Sequence, residues 1–130
     1  MPWDLNSDRP IYAQLIEQIE LKICSGDYAL GSKLPSVRDL AQVAAVNPNT
    51  MQKALAKLEE DGLLYTHRTS GRFVTEDAQM VKEIKNKLAQ SQINEFLHKM
   101  KTLGLEKDEI VSTIVTLLEE DEKNEQNLRV

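Results

Sequence analysis

The stretch Leu34-Pro35-Ser36-Val37-Arg38-Asp39-Leu40-Ala41, followed by Val46-Asn47-Pro48-Asn49-Thr50-Met51-Gln52-Lys53-Ala54-Leu55, decides the fold. Ser36 is a natural N-cap, and Asp39 gives a weak form of the capping box, because Asp reaches back less well than Glu. Val37, Leu40, Ala41, Val43 and Ala44 supply this helix with a small apolar side. Asn47-Pro48 repeats the signal: a cap, then a proline in the first turn, where a missing N–H costs nothing. Met51, Ala54, Leu55 and Leu58 recur at helical spacing, so the next helix runs to about Asp61. Gly62 suits the left-handed position just past its end. Two short helices across a tight connection make a helix-turn-helix.

Working outward, Leu63-Leu64-Tyr65-Thr66-His67 and Arg72-Phe73-Val74-Thr75 are short β runs around the turn Thr69-Ser70-Gly71, hence a hairpin. Core packing is expected of Tyr65 and Phe73. Upstream, Ile11, Leu15, Ile16, Ile19 and Ile23 mark a helix over Arg9–Cys24, with Asp8 as its expected cap and Pro10 in its first turn. Ser32-Lys33-Leu34 leaves room for a very short strand. The fold class is therefore mainly α with a small β-hairpin: a winged helix-turn-helix over 1–76.

Beyond Glu76 a helical period returns through Met80, Val81, Ile84, Leu88, Phe96, Leu97, Met100 and Leu103, with a kink or break expected near Ala89–Ile93. Gly104 ends this helix, and a shorter one from Asp108 carries Ile110, Val111, Ile114, Val115, Leu117 and Leu118. The expected division is a helical dimerisation region over 77–122 and a polar, frayed tail over 123–130.

Composition narrows the function classes. With 130 residues, 41% of them hydrophobic, the chain can bury one compact core, and 5% aromatics leave aliphatic side chains to fill it. No apolar run approaches the roughly 18 residues of a membrane span, and Met1-Pro2-Trp3-Asp4 lacks the basic and apolar segments of a signal peptide. A cytoplasmic location with no membrane partner is expected. Cys24, the single cysteine, reads as a buried structural thiol rather than a redox sensor. The net charge of −5 runs against DNA binding, but it is uneven. Residues 1–75 hold eight basic and nine acidic side chains, whereas 76–130 hold eight and twelve. The negative excess therefore sits mainly outside the helix-turn-helix.

Several of these motifs, in one unbroken order, are similar to a known pattern. Pro10-Ile11-Tyr12, Leu34 through Ala41, Val46 through Thr50, Leu58-Glu59-Glu60-Asp61-Gly62-Leu63-Leu64-Tyr65 and Gly71-Arg72-Phe73-Val74 together resemble the GntR (gluconate-repressor) family. The short C-terminal part resembles its YtrA-type subfamily. That resemblance implies dimerisation through the C-terminal helices and repression of the chain's own or an adjacent operon, often one encoding a transporter. The family's wing tip usually reads Gly-x-Gly-Thr-Phe-Val. Here the first glycine and the threonine are replaced, by Thr69 and Arg72.

DNA recognition needs phosphate contacts for position and base-edge contacts for sequence. The expected reader is the helix after Asn47, with its first residues in the major groove. Gln52 and Lys53 are its candidate base readers, since Gln pairs with adenine and Lys reaches guanine. Asn49 and Thr50 are expected on phosphates, while Asn47 and Pro48 read as plain helix initiation. Ser36 and Arg38 open the preceding helix, where N–H groups and a guanidinium can hold a phosphate. Capping alone is the rival role for Ser36, and pairing with Asp39 or Glu59 the rival for Arg38. On the wing, Arg68, Gly71 and Arg72 complete the DNA-binding set, for phosphate or minor-groove contact. His67 packs or faces solvent rather than binding metal, since His98 is the only other histidine.

The wide apolar faces after residue 80 must pack on the winged helix or on a second subunit. A homodimer on a palindromic operator of double-stranded DNA is the economical account, through Val81, Ile84, Leu88, Phe96, Leu97, Ile114 and Leu118. Trp3 either joins that surface or anchors the N-terminal arm. An unidentified small-molecule effector would then fit only at the dimer seam or between appendage and winged helix. The alternative function is a winged-helix protein-interaction or RNA-binding module. An enzyme finds no support, because no nucleophile–base pairing, phosphate loop or metal spacing occurs, and no cofactor is expected.

Overall fold

A computed structural model of the chain describes residues 3–128. Five helices and one hairpin follow each other as α1 (Ile11–Cys24), α2 (Val37–Ala44), α3 (Pro48–Glu60), β1 (Leu64–His67), β2 (Gly71–Val74), α4 (Ala78–Thr102) and α5 (Lys107–Leu128). They form two compact units, residues 1–88 and 89–130.

The first unit is the winged helix-turn-helix. Its core joins Leu15, Ile19 and Ile23 of α1 to Leu40, Ala41 and Ala44 of α2 and to Met51, Ala54, Leu55 and Leu58 of α3. Leu34, Leu63, Leu64 and Val74 close it from the hairpin side. The caps of α2 and α3 form as the local sequence dictates. Ser36 Oγ accepts from Asp39 N at 3.1 Å, and Asn47 Oδ1 accepts from Asn49 N at 2.7 Å. Between the two helices Ala45 takes the left-handed conformation at φ 60°, and Val46 N donates back to Ala41 O at 3.0 Å. A left-handed alanine costs about 1–2 kcal/mol, which this hydrogen bond and the packing of Val46 on the core offset.

The expectations for Asp8, Val43, and Tyr65 with Phe73 change, and Trp3 takes one of the two places left open for it. Asp8 does not cap α1: Pro10 precedes it without a side-chain cap. Instead the buried Gln14 turns its amide back onto the arm, donating to Asn6 O and Arg9 O and accepting from Asn6 N. Val43 is 50% exposed rather than packed, because an eight-residue helix buries only one narrow stripe. Tyr65 and Phe73 lie on the outer hairpin face, stacked at 5.6 Å, with His67 edge-on to Phe73. Trp3 anchors the arm: it packs on the core, with Lys22 Nζ 5.3 Å from its ring centre. Cys24 is half-buried, its Sγ 3.9 Å from Val81 O, and burial pushes its thiol pKa up.

The hairpin is antiparallel, pairing Leu64 with Val74, Tyr65 with Phe73, Thr66 with Arg72 and His67 with Gly71. Lys33 adds an isolated bridge to Phe73, the short pairing that Ser32-Lys33-Leu34 allowed. Strand alternation puts Thr66 and Arg72 on the same face as the buried Leu64 and Val74, toward α3.

One side chain of this unit is costly as placed. Burial first, then the charges of Glu17 and Asp61, raise the pKa of Glu20 above its ordinary 4.5. The folded carboxyl thus holds its proton more tightly than the unfolded one. Ionisation costs stability in full above the folded pKa and nothing below the unfolded value. Glu20→Gln is expected to raise stability at about pH 7.5, by less than about 1 kcal/mol after solvent screening and seen as a higher melting temperature, and to lose that advantage at about pH 3.5. Thermal unfolding at the two pH values checks this, and an equal gain at both would exclude ionisation as the cause.

In the first unit Met80, Val81 and Ile84 of α4 pack against the core. α4 is one continuous helix with no break at Ala89–Ile93. The second unit contains the rest of α4 and α5, which is longer than expected and helical to Leu128, where a frayed tail was anticipated. Residues 129 and 130 of that expected tail lie outside the described residues. Gly104, at φ 92°, makes the turn between the helices, and Glu109 Oε1 accepts from Glu106 N at the start of α5. Ile110 is buried, but Phe96, Val111, Val115, Leu117 and Leu118 remain exposed.

Candidate nucleic-acid interface

The side of α3 opposite its core stripe belongs to Asn49, Gln52, Lys53 and Ala56, all exposed and spaced by three or four residues. Met51, Ala54, Leu55 and Leu58 are at most 1% exposed, so α3 cannot roll and its polar side has a fixed bearing. Thr50 is half-exposed on the flank. With Lys53, Ala56, Lys57, Glu60 and Tyr12 of α1 it lines an open cleft of about 620 Å³.

Ser36 and Arg38 at the start of α2 are both exposed. Ser36 is spent on its cap by only one lone pair, so its hydroxyl can still donate. Arg38 makes no ion pair among the described residues, with neither Asp39 nor Glu59 as partner. A second cleft, of about 580 Å³, separates this helix start from the wing and is lined by Lys33, Ser36, Asp39, Thr66, Gly71 and Arg72 among others.

On the wing the expected residues part company. Arg68 is exposed at the turn, where Ser70 N donates to His67 O. Gly71 has φ 109°, a conformation L side chains rarely adopt, and a Cβ there would stand 3.1 Å from the movable Lys33 Cε, so its bareness serves conformation first. Arg72 is turned inward, with a side chain only 17% exposed. Its Nε lies 3.8 Å from Glu59 Oε2, and its Nη1 donates to Gln52 Oε1 at 3.3 Å. Glu59 also accepts from Thr66 Oγ1. Gln52, Arg72 and the Glu59 carboxylate thus share one linked cluster.

Sequence reasoning passed over three side chains that the structure places at these clefts: Lys33, Tyr12 and Lys57. Lys33 had a signal, since it precedes the Pro35-Ser36 helix start by two positions. Tyr12 lies off the apolar stripe of α1, which makes it available for a polar task. Lys57 is committed locally. Its hydrogen bond to Asp61, at 3.3 Å, and the charges of Asp61 and Glu60 raise its pKa.

Among the described residues no group of three or more His, Cys, Asp or Glu side chains could hold a metal ion, and no helix is long and apolar enough to cross a membrane. The arrangement presents donors and cations on a convex helix face flanked by two clefts, which suits a grooved polyanion.

Known proteins share this fold and its sequence pattern. Residues 11–74 match the family described as "Bacterial regulatory proteins, gntR family". The chain is 40% identical over 113 residues to the uncharacterized HTH-type transcriptional regulator YhcF of Bacillus subtilis, covering 87% of this chain and 93% of that one. It is 43% identical over 75 residues to the HTH-type transcriptional repressor YtrA of the same organism, covering 58% of each. Among solved structures, a GntR family transcriptional regulator from Listeria monocytogenes superposes with a TM-score of 0.78 at 37% identity, covering 86% of this chain and 98% of that one. With a winged helix-turn-helix in place and likeness running through nearly the full length of YhcF and of the Listeria regulator, the chain belongs to the GntR family of DNA-binding bacterial transcriptional regulators.

Proposed function

We propose that this regulator is a repressor of its own or an adjacent operon that binds a palindromic operator as a homodimer, with α3 in the major groove. The observation that carries the reading is the two-sided character of α3: one face locked in the core, the other offering Asn49, Gln52 and Lys53. Gln52 and Lys53 read base edges, while Asn49, Thr50, Ser36 and Arg38 hold phosphates. Arg68 and the bare backbone at Gly71 approach the duplex from the wing. Likeness to a Bacillus subtilis repressor supports repression over activation.

Support for the dimer comes from the second unit. Phe96 is 40% exposed and Leu118 62%, an apolar surface that a second copy would take out of water. Leu97 and Ile114, both half-buried, are assigned to the same surface. Val81 and Ile84 have a competing use in the first unit, where they pack against its core, so the dimer rests chiefly on Leu88 and the residues that follow it. In domain terms, residues 1–76 bind DNA, the helices over 77–122 dimerise, and 123–130 are a polar tail. A cytoplasmic location goes with this role, and an unidentified small-molecule effector remains compatible with it.

A gel shift with the chain's own upstream DNA tests the proposal. An inverted-repeat fragment is expected to bind about a thousandfold tighter than random duplex at moderate salt. Equal binding would refute it. Arg38→Ala is expected to weaken every duplex alike and to reduce the slope of log K against log salt by about 1 per subunit, as for one lost phosphate contact. An unchanged slope would remove Arg38 from the interface.

A further inference from the structure

We propose that Arg72 is a positioning residue that works from the wing to fix the amide of Gln52, and so sets which base α3 accepts. This rests on the reading of α3 as the base-reading helix. Four observations carry it. The hairpin register puts Arg72 on the inner face with Leu64 and Val74, so its side chain runs over α3 rather than out from the wing tip. Its guanidinium is withdrawn from solvent, and Nε is buried without a hydrogen-bond partner among the described residues. Glu59, itself tied to Thr66, steers the guanidinium from one side at 3.8 Å. Nη1 donates to Gln52 Oε1 at 3.3 Å on the other.

The chemistry follows from the donor inventory. A guanidinium has five N–H donors and no acceptor, so only the carbonyl end of the Gln52 amide can face it. The NH₂ end is then the leading group. A free glutamine can turn its amide over and pair both ends with adenine N6 and N7. A glutamine whose oxygen is held leads with donors, which suits the acceptors guanine O6 and N7 or thymine O4. Arg72 thereby biases Gln52 toward a guanine or thymine without touching DNA itself. Thr66 and Glu59 hold Arg72 in place, and a planar fork is needed to span Glu59 and Gln52 together, which the point charge of lysine does not provide.

Selection from randomised duplexes, followed by affinity measurements over a salt series, tests this on the full-length chain. Wild type should select guanine or thymine at the one half-site position whose discrimination Gln52→Ala abolishes. Arg72→Lys and Arg72→Ala should both lose roughly tenfold discrimination at that position, leave the other positions unchanged, and keep the wild-type salt slope. Adding Gln52→Ala to either variant should produce no further loss. Arg72→Lys keeps the charge beside Glu59, so its result stands even where the alanine variant is too unstable to assay. A uniform loss of affinity with a shallower salt slope would make Arg72 a phosphate contact and overturn the proposal. So would unaltered preference at the Gln52 position, or adenine selected there by wild type. A wild type that selects no motif at all would fail the reading of α3 itself, and the positioning role with it.

Discussion

Leu55→Ala is expected to destabilise the winged helix by about 2–5 kcal/mol, measured as a lower urea midpoint with the slope unchanged. Leu55 is 1% exposed and sits in the middle of α3, where residues from α1, α2 and the hairpin meet in one core. Truncation removes its transfer free energy and leaves a cavity that four elements would have to collapse to fill. Domains of this size are stable by only about 5–15 kcal/mol, so the loss is a large share of the total. DNA binding should fall with the folded fraction, and operator DNA should restore part of the melting temperature by mass action. Val43→Ala, by contrast, removes a half-exposed side chain and should change stability by no more than about 0.5 kcal/mol. A Leu55 variant as stable as wild type would mean that α3 is not held by this core.

The second large effect is on specificity. Gln52→Ala should cost about 1–3 kcal/mol at a single base position in each half-site and leave the remaining positions intact. Gln52 is exposed on the side of α3 opposite the buried stripe, so its removal opens no cavity and breaks no cap. Folding stability should stay within about 0.5 kcal/mol of wild type. Binding to random duplex and its salt slope should also be unaffected, because a neutral amide displaces no counterions. Affinity that falls evenly across all sequences would assign Gln52 to positioning rather than reading.

Much of this arrangement was legible in the sequence because it is local. Ser36, Asn47 and Pro48 mark helix starts by chemistry that acts within three residues, and both caps form. What was not legible depends on long-range choices. Asp8 had the chemistry of a cap, but Gln14 satisfies the arm's carbonyls from within α1. Val43 fits the apolar pattern of α2, yet an eight-residue helix has too few turns to fix which edge of the stripe is covered. Ala45 carries no sign of its left-handed conformation, since glycine is the usual marker there. The long polar end of α5 is helical through Leu128, where low hydrophobicity suggested fraying. Pairs four apart such as Glu119 and Lys123 favour helix without a core.

The wing shows the boundary most sharply. Period-two alternation from the buried Leu64 places Thr66 inward and Tyr65 and His67 outward, but the partner strand can be read only once the register is known. With Thr66 opposite Arg72, the arginine that composition suggested for DNA faces α3 instead. The candidate site was therefore recognisable as a set of residue types, while the link between Gln52, Arg72 and Glu59 emerges only from strand pairing.

Hydroxyl-radical footprinting on the chain's inverted-repeat DNA tests the central claim most directly. Two protected patches on one face of the duplex, centred about one helical turn or a multiple of it apart, are the expected result for a dimer with one α3 per half-site. Diffuse protection that looks the same on random duplex would contradict it.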